Sequence, residues 1–141
     1  MKEVFRHWLV DENPDIFITF NFGYTVKPLN GEPRIHEFCK RIERKALGRK
    51  WCRLPRSERL TLVGCWERIG PHLNTHCHLV GWAPAEIHRT LQLEGPQIWE
   101  HLVPRGQLHF EHPRLVDRVV NYVTKELPKH TGDGFDRLSV Y

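Results

Sequence analysis

Short stretches of strand-like and helix-like hydrophobic spacing alternate along the chain. Asp15 to Gly23 (DIFITFNFG) is dense in Phe, Ile and Thr and is bounded by Asn13-Pro14 and Gly23, which predicts a strand. From Pro33 to Leu47, Ile35, Phe38, Cys39, Ile42 and Ala46 recur at helical spacing between Gly31 and Gly48, which predicts a helix. Arg49 to Arg56 is a basic, Pro-containing connection. Leu60 to Ile69 and His72 to Trp82 predict two strands joined at the turn-forming Gly70-Pro71. Pro84 to Leu93 predicts a helix opened by proline, and Pro96 to Leu102 a short second one. Gly106 to His112 predicts a strand, and Arg114 to Leu127, between Pro113 and Pro128, a helix. The polar stretch from Lys129 to Tyr141 is expected to be irregular or a final edge strand. The order β-α-β-β-α-β-α implies an α+β fold, an antiparallel β-sheet with packed helices of the ferredoxin-like, RNA-recognition-domain-like kind.

At 141 residues and 40% hydrophobic content, the sequence suits one domain with a real core, 1–141. No apolar run is long enough to span a bilayer, and Met1 to Val10 does not read as a secretory signal. No membrane association is expected. The default is a cytosolic or nucleoid-associated protein. Cys39, Cys52, Cys65 and Cys77 form no C-x-x-C pair, so they are expected to be reduced thiols rather than a zinc site or disulfides.

The net charge of +4 changes the picture through its distribution. Between Lys40 and Arg59, nine basic residues (Lys40, Arg41, Arg44, Lys45, Arg49, Lys50, Arg53, Arg56 and Arg59) face only Glu43 and Glu58. The segment carries +7, and the remainder of the chain −3. A concentrated basic block on a near-neutral body is the footprint of a polyanion binder, although a solvated helix face and loop can look the same.

His76-Cys77-His78 is the densest chemical signal. On a strand, residues two apart share a face, so both imidazoles project together while Cys77 points to the core. Two adjacent imidazoles can take two positions on one divalent ion. If Gly70-Pro71 is a two-residue hairpin loop, Glu67 lies opposite Asn74 and Cys65 opposite His76, which puts Glu67 on the histidine face. Two histidines and a carboxylate make a mixed N/O site suited to Mg²⁺ or Mn²⁺, and open to zinc. His72 falls on the same face at the hairpin end, as an outer or exposed residue.

On the last helix Leu115, Val119, Val123 and Leu127 form the expected buried stripe. Tyr122 and Lys125 are neighbours on another face, with Arg118 a turn before and Glu126 a turn after. A free phenol, with a pKa of about 10, is a weak nucleophile at neutral pH, and a nearby cation favours loss of its proton. Taken alone, Y-x-x-K fits equally a half-packed tyrosine and a solvated lysine.

Together these elements resemble the HUH endonuclease superfamily, and within it the single-tyrosine rolling-circle replication initiators, over about residues 15–127. Phe17 to Phe22 (FITFNF) resembles the family's first motif. Thr75 to Trp82 (THCHLVGW) resembles the metal-binding second motif, and Asn121 to Leu127 (NYVTKEL) the third, with nucleophile and following lysine. The resemblance implies Tyr122 and Lys125 as catalytic residues. It implies His76, His78 and Glu67 as ligands of Mg²⁺ or Mn²⁺, with Glu126 as second choice for the third ligand, since small HUH transposases place it one turn after the tyrosine. It implies single-stranded DNA or hairpin origin DNA as partner. The expected DNA contacts are Thr19, Asn21, Lys40, Arg41, Arg44, Lys45, Arg49, Lys50, Arg53 and Arg118. The implied reaction is nicking and joining through a 5′-phosphotyrosine. No G-x-x-x-x-G-K-[ST] sequence is present, so no helicase domain is expected, and unwinding would fall to a host helicase or to substrate already single-stranded.

Other readings stay open at the level of sequence. One is transposase- or recombinase-type strand transfer. Another is a non-catalytic module binding single-stranded nucleic acid, although the K/R-G-F/Y-G/A-F-V-x-F/Y signature is missing. A third is a small metal-dependent hydrolase or a zinc-stabilised structural domain.

Overall fold

The computed structural model describes residues 2–67, 74–114, 116–124 and 138–141. Four helices, α1 (Lys2–Asp11), α2 (Pro28–Leu47), α3 (Ala85–Leu102) and α4 (Val116–Thr124), pack on a sheet. Its strands are β1 (Ile16–Asn21), β2 (Thr61–Trp66), β3 (His76–Trp82), β4 (Gln107–Glu111) and the three-residue β5 (Leu138–Val140). The spatial order is β4-β1-β3-β2-β5, and every neighbouring pair is antiparallel. The α+β class and the antiparallel sheet are therefore as expected.

Strand alternation divides the hydrophobic residues between two layers. Ile16, Ile18, Phe20, Leu62, Cys77 and Leu79 point to α2 and α3 and join Ile35, Phe38, Ile42, Ile87, Leu91 and Trp99 in the main core. Phe20, Phe38 and Trp99 meet edge to face at centroid distances of 4.8 to 5.9 Å, a preferred aromatic geometry. Phe17, Val63 and Val80 point the other way, to Leu9 of α1 and Val120 and Val123 of α4. Helices cover both faces of the sheet.

The structure departs from the expected elements in three places. Helix α1 stands where the charged N-terminal stretch concealed a Phe5, Trp8, Leu9 stripe, of which Leu9 is fully buried. Helix α2 begins at Pro28, with proline at its first turn, and runs through Gly31 and Pro33. Gly31 is tolerated because a Cβ there would stand 2.6 Å from Trp66 and 3.0 Å from Phe22, so packing outweighs helix propensity. Helix α3 is continuous through Gly95 and Pro96 rather than two pieces, since Gly95 and Trp99 are buried against the sheet layer.

The connection from α2 to β2 contains two single 3₁₀ turns, Trp51–Arg53 and Arg56–Glu58. It is tied down by Glu43, whose carboxylate is wholly buried. Arg59 Nε donates to Glu43 Oε2 at 2.9 Å, and Tyr141 Oη donates to Glu43 Oε1. Tyr141 also exchanges backbone hydrogen bonds with Leu62, both 2.8 Å, which extends the β2–β5 ladder. Burial, then the Glu43 carboxylate, push the Tyr141 phenol well above its ordinary pKa. Its contribution to stability is therefore complete below about pH 10 and fades as pH rises toward the raised value.

Removing the cation leaves a buried charge without its partner, which costs about 3–5 kcal/mol. Arg59→Ala is expected to lower the melting temperature by roughly 10 °C, at about 2–4 °C per kcal/mol for a domain near this size. Tyr141→Phe should cost about 1 kcal/mol. Thermal melts of the two variants check this; an Arg59→Ala protein melting with the wild type would remove Glu43 as the anchor.

Candidate metal centre

The site is built by β3, held between β1 and β2. On β3, His76 and His78 face the α1/α4 side, while Cys77 is buried in the α2/α3 core. Cys65 stands opposite His78 and Trp66 opposite Cys77, and Glu67 N donates to His76 O at 2.9 Å. Glu67 therefore lies opposite His76, and Cys65 opposite His78, two residues along from the expected pairing with Asn74 and His76. Thr75 continues the pairing of β3 with the extension of β1, where Phe22 N donates to Thr75 O and Thr75 N to Tyr24 O, both at 3.0 Å. A shift of two preserves side-chain parity, so Glu67 keeps the histidine face. Gly70-Pro71 and His72 lie outside the described residues.

His76 Nδ1 is 2.9 Å and His78 Nε2 3.4 Å from the same carboxylate oxygen, Glu67 Oε2. Ligand atoms of the three residues all lie within 4.8 Å of one another, the only such group of three or more His, Cys, Asp or Glu among the described residues. Protein ligands to small divalent ions sit at about 2.0–2.2 Å, so little rearrangement separates this cluster from a coordination sphere. Glu67, His76 and His78 can hold a metal ion. Glu67 and His76 are partly exposed and His78 is 4% exposed, so the cluster is closed behind His78 and open to one side.

His78 is oriented from three directions. Thr19, opposite it on β1, places Oγ1 2.9 Å from Nδ1. Phe17 stacks on the ring at 6.3 Å, and Tyr122 meets it edge-on at 4.7 Å. The tautomer that offers the Nε2 lone pair to a cation carries its proton on Nδ1 and donates it to Thr19 Oγ1. Such outer partners fix ring orientation at metal sites. Gly64 allows β2 to come this close to β3, since a Cβ there would stand 1.9 Å from the His78 carbonyl oxygen.

Tyr122 belongs to α4, which the burial of Val120 and Val123 against Val63 and Val80 seats on this face. The helix is braced from α1 by Arg6, whose Nε donates to Asn121 Oδ1. The Tyr122 ring also meets Phe17 edge-on at 6.2 Å and is 43% exposed. The sheet face thus gathers a carboxylate, two imidazoles and a phenol ring. An open groove of about 530 Å³ leads from His76 past Thr19 and Asn21 to Gln107 and His109 on β4.

Of the other expected site residues, Lys125 and Glu126 lie outside the described residues. Thr19 serves His78, and Asn21 Oδ1 accepts from Gly23 N at 2.8 Å while lining the groove. Arg118 is exposed on α4, one turn before Tyr122. Lys40, Arg41, Arg44 and Lys45 lie on α2, in the layer opposite the cluster, with Arg41 paired to Glu37 and Lys45 to Glu94. Arg49, Lys50 and Arg53 lie in the connection that leads into β2 at Thr61, the end away from Glu67. The structure brings none of these seven to the cluster. Phe17 and Gly64 were not expected as site residues. Phe17 shares the face of Thr19 and Asn21 by simple alternation on β1, whereas nothing in the sequence marks Gly64.

Glu67→Gln and His76→Ala are each expected to weaken Mn²⁺ binding by at least tenfold in calorimetry of the purified protein, with circular dichroism unchanged. Thr19→Val should weaken it by about 10–100-fold and Thr19→Ser should restore most of it; equal affinities for Thr19→Val and wild type would remove Thr19 from the site. No protein-family model matches the chain, and it matches no curated protein and no solved structure.

Proposed function

We propose that this protein cuts and rejoins single-stranded DNA with Tyr122 as nucleophile beside a divalent metal ion, as in the single-tyrosine HUH endonucleases. The observation that carries this is the convergence of Glu67, His76 and His78 with Tyr122 on one sheet face, the phenol ring 4.7 Å from the His78 ring. The strand order β4-β1-β3-β2, antiparallel throughout, supports the ferredoxin-like frame of that superfamily. No helix among the described residues is long and apolar enough to cross a membrane.

The roles follow from the chemistry of the side chains. His76, His78 and Glu67 would hold Mg²⁺ or Mn²⁺, and when bound that ion supplies positive charge to a phosphate whose negative charge grows during attack. Thr19 keeps His78 in the ligating orientation. The groove along Asn21 and Gln107 receives the strand next to the scissile phosphate. The Tyr122 phenol loses its proton to solvent water, and the resulting oxyanion attacks phosphorus. A P–O bond to tyrosine forms as the P–O3′ bond breaks, and the leaving 3′ oxygen takes up a proton to become a hydroxyl. The 5′-phosphotyrosine holds the bond energy, and attack by a 3′-hydroxyl reverses the step and rejoins the strand. Lys125, by its spacing from Tyr122, would neutralise charge near the phenol.

A non-catalytic module using an open aromatic sheet is less well supported. Phe17 is 8% exposed beneath α4, and the face that would stack bases is covered by helices.

Incubating the protein with a pool of single-stranded oligonucleotides and Mn²⁺, then running a denaturing gel, is expected to give protein–DNA adducts. Tyr122→Phe should bind DNA and form none. Removing either histidine should slow adduct formation by about 10²-fold or more while binding is retained. Metal-dependent cleavage without any adduct would make the protein a hydrolase instead, and an adduct from Tyr122→Phe would rule out this nucleophile.

A further inference from the structure

We infer that the basic surface formed by the second half of α2 and the α2–β2 connection docks the phosphate backbone of duplex DNA, apart from the metal centre. The choice of DNA among polyanions rests on the phosphodiester chemistry proposed for that centre; the existence and position of the surface do not.

Lys40, Arg44, Arg49, Lys50, Arg53 and Arg56 are all exposed, and among the described residues none has a carboxylate within 4.0 Å. The other three cations of the segment are matched, Arg41 by Glu37, Lys45 by Glu94 and Arg59 by Glu43. Glu58 is the one exposed acid on the connection. The surface is ordered, because the 3₁₀ turn at Trp51–Arg53 is clamped by the Arg59 guanidinium 4.8 Å over the Trp51 ring, and Arg59 is itself held by buried Glu43.

Its position is what separates it from the cleft. Helix α2 lies on the face opposite the cluster, and the connection meets β2 at Thr61. From Thr61 to Glu67 is six residues, about 20 Å at ~3.3 Å per residue. A phosphate held at the connection cannot be the one beside His76.

Its chemistry favours duplex over single strand. Unpaired strands are gripped by bases stacking on open aromatic rings. Here the two aromatics, Trp51 and Tyr141, are half-buried, and each carries a guanidinium over its ring, Arg59 and Arg56 respectively. What is left is a set of long cations, which read phosphate spacing and no sequence. A span of about 20 Å corresponds to roughly six base pairs, so a duplex flank of at least that length is needed to engage both places.

The test uses the whole chain with Arg44→Glu, Arg49→Glu, Lys50→Glu and Arg53→Glu combined, a parallel Arg/Lys→Gln set, and circular dichroism as the check of folding. Fluorescence anisotropy against a duplex of about two helical turns, titrated with salt, should show at least 100-fold weaker binding for the Glu set. The slope of log affinity against log salt should fall by about 3 to 4, near 0.9 for each phosphate that is no longer neutralised. Mn²⁺ affinity and adduct formation on a short single strand should stay at wild-type values. Duplex affinity and salt slope unchanged in both sets would overturn the surface even where adducts form. So would loss of short-strand adducts in the Glu set, or preference of the wild type for anionic phospholipid vesicles over duplex. Surface-dependent duplex binding with no adduct from the wild type would uphold the surface and sink the nicking function alone.

Discussion

The pairing of β3 between β1 and β2 is the constraint on which the site depends. It sets Thr19 against His78 and Asn21 against His76 from one side, and Cys65 against His78 and Glu67 against His76 from the other. Because side chains alternate, a slip of one residue in either ladder would present Cys77 to the cleft and send both imidazoles into the α2/α3 core. That slip is opposed by the whole apolar set of β3. Cys77 and Leu79 fill the core between Phe20, Phe38 and Trp66, and imidazoles there would be buried without partners. The hydrophobic pattern that folds the sheet is the same pattern that aims the ligands.

The second layer turns a pair of histidines into a site. Leu9, Val120 and Val123 hold α1 and α4 over Phe17, Val63 and Val80, so the sheet face is dry at one end and open at the other. His78 sits at that boundary, behind Phe17 and Tyr122, while His76 and Glu67 meet solvent. Charge developing near His78 is screened less than it would be in open water. The burial of Val120 and Val123 on α4 brings Tyr122 beside His78. A helix with Val at 116, 119, 120 and 123 has only one way to lie on this sheet, and position 122 then faces the cluster.

Much of this is legible in the sequence, for reasons that can be traced residue by residue. The H-x-H spacing dictates a shared face regardless of loop length, and the parity of Glu67 survives an error of two in register. The strands and most of helices α2 and α4 follow from apolar periodicity. What escapes the sequence is local chemistry overridden by packing. Gly31, Pro33, Gly95 and Pro96 look like boundaries, yet they sit inside helices because Trp66, Phe22 and Leu108 press against the glycines. Helix α1 is hidden among charges. Thr19 has the look of a DNA contact and is a histidine's partner. No composition rule shows that Gly64 admits the His78 carbonyl.

The basic block is the instructive case, because its charge is plain from the sequence and its place is not. Sequence proximity gives no guidance on which face a helix occupies, and α2 reaches the α2/α3 layer because Ile35, Phe38, Cys39 and Ile42 match the apolar face of β1, not because of its cations. Once those four are buried, Lys40 and Arg44 must project away from the cluster. The cations of this block therefore do not surround the centre, where a field that gathers a polyanion would have to act. At a screening length of about 10 Å in 0.1 M salt, cations some 20 Å distant cannot supply that field at the cluster. On the proposed function they would act where they stand, by holding a second stretch of the same polymer, so that proximity through the chain of the nucleic acid replaces proximity through space.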